Sequence, residues 1–276
     1  MEDLQHFIKI QVNYNLKVGD GIYNVTTEAF NQKLSKFLSR FSEIQEKEKQ
    51  YQLPFDLYEQ FPDLQIPELA SEIFTRKQDL QIIKTQFENY HNSTNHVLEI
   101  GGWNGWLTSR LVDKGAMVIT VDIFDDERNG LKSKKHYKNN NWLSIQTDLL
   151  DASIYKTKFD MIVFNHCLQF LTDPSVLIEK YKQLLNKNGV LLIIGSTFYK
   201  DIAPKEAEVS KSKNYFQQTY NFDIQFYPSN GYFSYEDFRL FSENSFKFIS
   251  YKFSFLGRIR KLFKKEKSGI LYYIHP

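Results

Sequence analysis

The run Val97-Leu98-Glu99-Ile100-Gly101-Gly102-Trp103-Asn104-Gly105-Trp106-Leu107-Thr108 constrains the fold more than any other stretch of the chain. Val97 to Ile100 reads as a buried strand, which breaks at a glycine pair and resumes as a helix with Leu107 and Leu111 on one face. A glycine turn between strand and helix lets a ligand approach the backbone, and the helix N-terminus offers free N–H groups beside it. The next apolar run, Met117 to Val121, ends in Asp122. An acid at the tip of a second parallel strand can take both hydroxyls of a ribose, which is how an open α/β sheet holds a nucleoside-type cofactor.

Spacing narrows the cofactor. A nicotinamide fingerprint needs glycine at three positions, G-x-G-x-x-G. Counted from Gly101 those positions are Gly101, Trp103 and Trp106, so two of three fail. Against E-x-G-x-G-x-G the chain offers Glu99, Gly101, Trp103 and Gly105, so only the middle glycine fails. The segment resembles the class I S-adenosylmethionine-dependent methyltransferases in the form L-E-I-G-x-W-N-G-W-L, and the resemblance covers roughly Asn95 to Pro276. It implies an α/β, Rossmann-like seven-stranded mixed sheet in the order 3-2-1-4-5-7-6, with strand 7 antiparallel and helices on both faces. It also implies S-adenosylmethionine as cofactor, S-adenosylhomocysteine as product, and methyl transfer to an O or N atom of a small or medium-sized acceptor. Glu99, Gly101, Gly102, Asn104 and Gly105 would shape the methionine and ribose pocket, with Asp122 and Ile123 at the ribose. Trp103 would press on the cofactor or cap the turn. An acid after strand three would meet the exocyclic amine of adenine. By position that is Asp148, with the Leu149 backbone beside it, although Asp148 or Asp151 would equally suit a helix N-cap.

The unbroken apolar run Phe159 to Phe164 suits a central parallel strand covered on both faces, and it exits at Asn165 and His166. Ligands bind at the ends of such strands, which puts Asn165 among the cofactor residues and His166 near the transferred methyl. The family often carries a Glu-His pair a few residues on, but those positions are Gln169 and Phe170 here. His166 is the nearest substitute, since a neutral imidazole can take a proton from a hydroxyl or amine as it is methylated. A capping or core histidine is the bland alternative. The missing pair leaves open a cofactor-binding scaffold without catalysis. Methylation of RNA or of an RNA-associated protein is a second alternative.

The rest of the chain supplies the surroundings. In residues 1–93, expected to form a hairpin and helical cap, alternation around Gly19-Asp20-Gly21 predicts a hairpin over Phe7 to Val25. A helix with Phe30, Leu34, Phe37, Phe41 and Ile44 on one face follows from Thr26 or Thr27. After a proline-punctuated connector, a second helix runs from about Glu68 to Tyr90 with Leu69, Ile73, Leu80, Ile83 and Phe87 inward. Residues 94–276 form the expected catalytic domain. It includes a helix from Asp173-Pro174, a fifth strand over Val190 to Ile194, and a terminal hairpin over Phe246 to Phe253 and Ile270 to His275. The aromatic stretch 199–233 reads as a lid, with Tyr199 and Tyr215 as candidate acceptor contacts. The segment 255–265 places bases opposite apolar residues, which suits an anionic membrane surface, a phosphate-bearing partner or a solvated face. A net charge of +2 argues against a general nucleic-acid binder. Cys167 is the only cysteine, so neither a disulfide framework nor a cysteine metal site is expected. With no signal-like N-terminus and no bilayer-spanning run, the expected compartment is the cytoplasm. The sequence leaves the oligomeric state open.

Overall fold

The computed structural model describes residues 2–9, 14–48, 52–92, 95–253 and 265–276. All but the last residue of the basic segment 255–265 therefore lies outside the described residues. The element order is α1 (Glu2–Phe7), β1 (Tyr14–Gly19), β2 (Ile22–Thr27), α2 (Glu28–Glu48), α3 (Ala70–Gln86), β3 (His96–Ile100), α4 (Trp106–Val112), β4 (Met117–Asp122) and β5 (Leu143–Thr147). It continues through β6 (Phe159–Asn165), α5 (Pro174–Lys182), β7 (Leu185–Tyr199), α6 (Ala203–Tyr220), β8 (Phe233–Ser234), α7 (Tyr235–Glu243), β9 (Lys247–Ser250) and β10 (Glu266–Ile274).

One sheet organises the molecule, in the order β1-β2-β5-β4-β3-β6-β7-β10-β9 with β8 against β7. Its stretch from β5 to β9 reproduces the order 3-2-1-4-5-7-6, and β10 runs antiparallel to β7. The fold is a Rossmann-like α/β sheet of the methyltransferase type, with ten strands among the described residues rather than seven. The N-terminal hairpin accounts for two of the additional strands. β2 pairs parallel with β5 through Ile22↔Ser144 to Val25↔Thr147, so it continues the sheet instead of capping it. The third is the two-residue β8. The expected boundary at 93/94 thus does not separate two cores. β7 is also longer than the apolar run Val190–Ile194 indicated, because β10 pairs with it as far as Tyr199.

Period-two alternation divides the core. Leu98, Ile100, Ile119, Val121, Ile162 and Phe164 pack on one face with α2 residue Leu34. Val97, Val118, Met161 and Val163 pack on the other with Ile73, Leu80 and Ile83 of α3. The two long N-terminal helices therefore cover opposite faces of the sheet, and both reach the carboxyl ends of its central strands.

Candidate active site

A cavity of about 1130 Å³ opens where those strands end. It lies just above the range of roughly 300–1,000 Å³ usual for ligand pockets. Of the sequence-derived candidates, Gly101, Trp103, Asn104, Asp122, Ile123, Leu149, Asn165, His166 and Tyr199 line it.

The turn after β3 is built as its glycines demand. Gly101 and Gly105 have φ of +80° and +77°, a region disfavoured for side-chain-bearing residues. At Gly101 a side chain would meet Cys167 rather than open ligand space: an added Cβ would lie 2.7 Å from the Cys167 Cβ. Gly101 is therefore required by the approach of the β6 exit to the turn. Gly102 packs against Thr120, and Gly105 initiates α4; neither lines the cavity. Trp103 also takes a positive φ, 48°, and sets its ring edge-on to Phe124 with centroids 5.7 Å apart.

Asp122 at the end of β4 accepts three backbone N–H groups: Trp103 at 2.8 Å, Ile123 at 2.7 Å and Phe124 at 3.1 Å. These bonds fix the carboxylate at the cavity wall. Burial nevertheless outweighs them and pushes its pKa up to about 6. Glu99 departs from its expected place. It is absent from the cavity wall and fully buried behind it, accepting the Thr108 hydroxyl and, at 2.7 Å, the Asn165 side-chain amide. Strand alternation turns Glu99 inward, away from the turn it precedes, and burial raises its pKa to about 7.

Asp148 is also set back from the cavity. It accepts the Leu150 N–H at 3.0 Å and the Tyr227 hydroxyl at 2.9 Å. The same Tyr227 oxygen accepts the Leu149 N–H at 3.0 Å. One hydroxyl thus occupies both the acceptor and the donor that a purine edge would use. Tyr215 also lies away from its expected place at the acceptor. Its ring is 46% exposed, it does not line the cavity, and its hydroxyl donates to Glu48 at 2.8 Å. The helical periodicity of α6 turns Tyr215 outward, whereas the expected lid 199–233 reaches the cavity through Tyr199 and the loop Ile224 to Tyr227.

The residues missed by sequence reading come from α3. Arg76, 8% exposed, donates to Asn165 Oδ1 at 3.3 Å, pairs with Glu72 at 3.0 Å, and lies 4.9 Å over the Trp106 ring. Asp79, completely buried, meets the His166 Nε2 at 2.8 Å and accepts the Tyr251 hydroxyl at 2.5 Å. Burial, reinforced by the Arg76 charge, lowers the His166 pKa. A signal was present: the spacing Leu69, Ile73, Leu80, Ile83 leaves a gap at Arg76, which the same three-to-four-residue step fills. Among the described residues no cluster of His, Cys, Asp and Glu could hold a metal ion, and no helix is long and apolar enough to cross a membrane.

The strand order, the glycine turn and the acid ending β4 define a Rossmann-like methyltransferase. A family profile described as a methyltransferase domain matches residues 28–229, and the chain belongs to that family. An uncharacterized methyltransferase of Bacillus cereus is 27% identical over 178 residues, covering 63% of this chain and 77% of the relative. A second, from Bacillus thuringiensis (strain Al Hakam), is 28% identical over 177 residues, with the same coverage of 63% and 77%. Among solved structures, magnesium protoporphyrin IX methyltransferase from Synechocystis PCC 6803 with bound S-adenosylmethionine is 14% identical. The match covers 95% of this chain and 100% of that one, with a TM-score of 0.47.

Proposed function

We propose that the chain transfers the methyl group of S-adenosylmethionine to an O or N atom of a small or medium-sized acceptor bound in the same cavity. The observation that carries this reading is the single cavity joining Asp122 and Ile123 at the end of β4 to Asn165 and His166 at the end of β6, and onward to Tyr199 and Tyr251. The residues present fit the cofactor, because a backbone-anchored carboxylate stands at the wall where a ribose would lie. The cofactor supplies an electrophilic methyl on a sulfonium. The chain then has to hold the acceptor atom in line with it and receive a proton, since positioning accounts for most of the acceleration of such a displacement. Asp122 takes the ribose hydroxyls, and Leu149 lies along the adenine. Gly101, Trp103 and Asn104 line the methionine end. Asn165, held between Arg76 and Glu99, marks the boundary with the acceptor, and His166 accepts the acceptor's proton.

Calorimetry with S-adenosylhomocysteine tests the cofactor half. Asp122→Ala is expected to weaken binding at least tenfold without unfolding the chain, because hydrogen bonds to a charged group contribute about 1.5–3 kcal/mol each. Unchanged affinity would overturn the ribose assignment. Transfer of labelled methyl into a metabolite extract tests the other half: His166→Ala is expected to lower turnover roughly 10²–10⁴-fold with cofactor affinity intact.

A further inference from the structure

We propose that Asp79 is the positioning residue of the transfer site: it holds the His166 imidazole as the Nε2–H tautomer and so makes Nδ1 the atom that takes the acceptor's proton. This rests on the reading that His166 faces the acceptor, and it adds which atom acts and what sets it.

The assignment starts from donor and acceptor arithmetic. An ionised carboxylate only accepts hydrogen bonds. Asp79 Oδ1 takes the Tyr251 hydroxyl at 2.5 Å, and Oδ2 stands 2.8 Å from His166 Nε2. Nε2 must therefore carry hydrogen, and in a neutral ring that leaves Nδ1 with the free lone pair. Among the described residues Nδ1 has no hydrogen-bond partner, and it is not one of the ring nitrogens sealed from solvent.

The surroundings hold the ring in that pose. His166 leaves β6 with φ of +55°. Its imidazole lies directly over the Cα of Gly195 on β7, where any added Cβ would collide with the ring. The Gly195 N–H donates to the Tyr251 oxygen at 3.0 Å, and that hydroxyl donates to Asp79. Gly195, Tyr251, Asp79 and His166 thus close a loop that ties β7, the chain after β9, α3 and the β6 exit together. Asp79 is completely buried and sits behind the ring, out of contact with the cavity, so its influence passes through His166.

The proton balance is complete. As the acceptor forms its bond to the methyl carbon, the sulfur–methyl bond breaks and its electron pair stays on sulfur. The acceptor O–H or N–H proton passes to Nδ1, and the resulting imidazolium lies against the Asp79 carboxylate until the proton is released to water through the cavity.

The experiment is nitrogen NMR of the full chain labelled with ¹⁵N-histidine, with the His166 signals assigned by their loss in His166→Gln. In the wild-type protein at pH 7.5, Nδ1 is expected in the unprotonated, pyridine-like range and Nε2 in the protonated, pyrrole-like range. In Asp79→Asn the amide NH₂ can donate to Nε2, and the proton is expected to shift to Nδ1. Affinity for S-adenosylhomocysteine should stay within about twofold, since the cofactor residues are untouched. A wild-type ring protonated on Nδ1, or an unchanged tautomer in Asp79→Asn, would overturn the proposal. If Asp79→Asn does not fold, Tyr251→Phe takes its place. It removes only the second donor to Asp79 and is expected to leave Nε2 protonated, and a switch of tautomer there would assign the control to Tyr251 instead. Failure of the wild-type protein to bind the cofactor would overturn the functional reading itself, independently of the tautomer.

Discussion

The two long helices that flank the cavity solve opposite problems. α2 presents Phe37 and Phe41, which pack with Phe124, Phe222 and Phe226 into an aromatic wall beside Asp122 and Ile123. α3 presents Arg76 and Asp79, buried charged groups that reach Asn165 and His166. The aromatic wall gains stability from area and close packing, without direction. The α3 wall gains it from paired donors and acceptors, each of which is costly to leave unmatched. An aromatic wall suits a flat ring that is bound and released, whereas a fixed polar wall suits a proton that must leave from one atom. The cavity is therefore divided by the physics of its two walls.

Deleting a polar group from α3 is expected to have the largest effect. Asp79→Ala leaves the Tyr251 O–H and the His166 Nε2–H as buried donors without acceptors, at about 1–3 kcal/mol each, and is expected to lower stability by about 3 kcal/mol in urea unfolding. A variant as stable as wild type would show that the α3 wall is not held by its hydrogen bonds.

On the other face, Phe37→Ala should act on the cofactor. Removing a ring that packs against four other phenylalanines is expected to raise the dissociation constant for S-adenosylhomocysteine about tenfold, or about 1.4 kcal/mol. Calorimetry checks this, and a loss of stability with no change in affinity would make the α2 wall purely structural.

The two walls should also differ in pH response. The Glu99 pKa is raised to about 7 in the fold, whereas an unfolded glutamate titrates near 4.3. The native chain therefore binds more protons between those values. Stability contributed by protonated Glu99 is present at low pH and is lost as pH rises toward 7, by up to about 1.4 kcal/mol per pH unit. Glu99→Gln is expected to flatten that part of the profile in thermal melts from pH 5 to pH 8, and Phe37→Ala to leave it unchanged. Equal slopes in wild type and Glu99→Gln would contradict the buried-carboxyl account.

The smallest expected effect lies where the α6 loop meets the cofactor wall. Tyr227 ties up Asp148 and the Leu149 N–H, which an adenine edge would need. Tyr227→Phe is expected to tighten S-adenosylhomocysteine binding by roughly three- to tenfold, the size of a net hydrogen bond of about 1 kcal/mol. Weaker binding would instead make the Tyr227 hydroxyl part of the adenine site.

By itself the sequence determined what local patterning can carry. Unbroken apolar runs specify strands covered on both faces, and their order with the intervening helices selects the sheet. The Gly101 turn and Asp122 at the end of β4 follow from residue type at an element boundary, and so does the position of His166 at the β6 exit. Tertiary structure alone decided the partners. Asp79 and His166 are 87 residues apart, and Asp79 and Tyr251 are 172 apart, so no periodicity links them. The inward turn of Glu99 depends on which strand face the Arg76 helix covers. The outward turn of Tyr215 depends on how α6 docks against Glu48. The N-terminal hairpin became part of the sheet only because β5 offered an unpaired edge, and strand edges are satisfied by whichever segment arrives in register rather than by one encoded nearby.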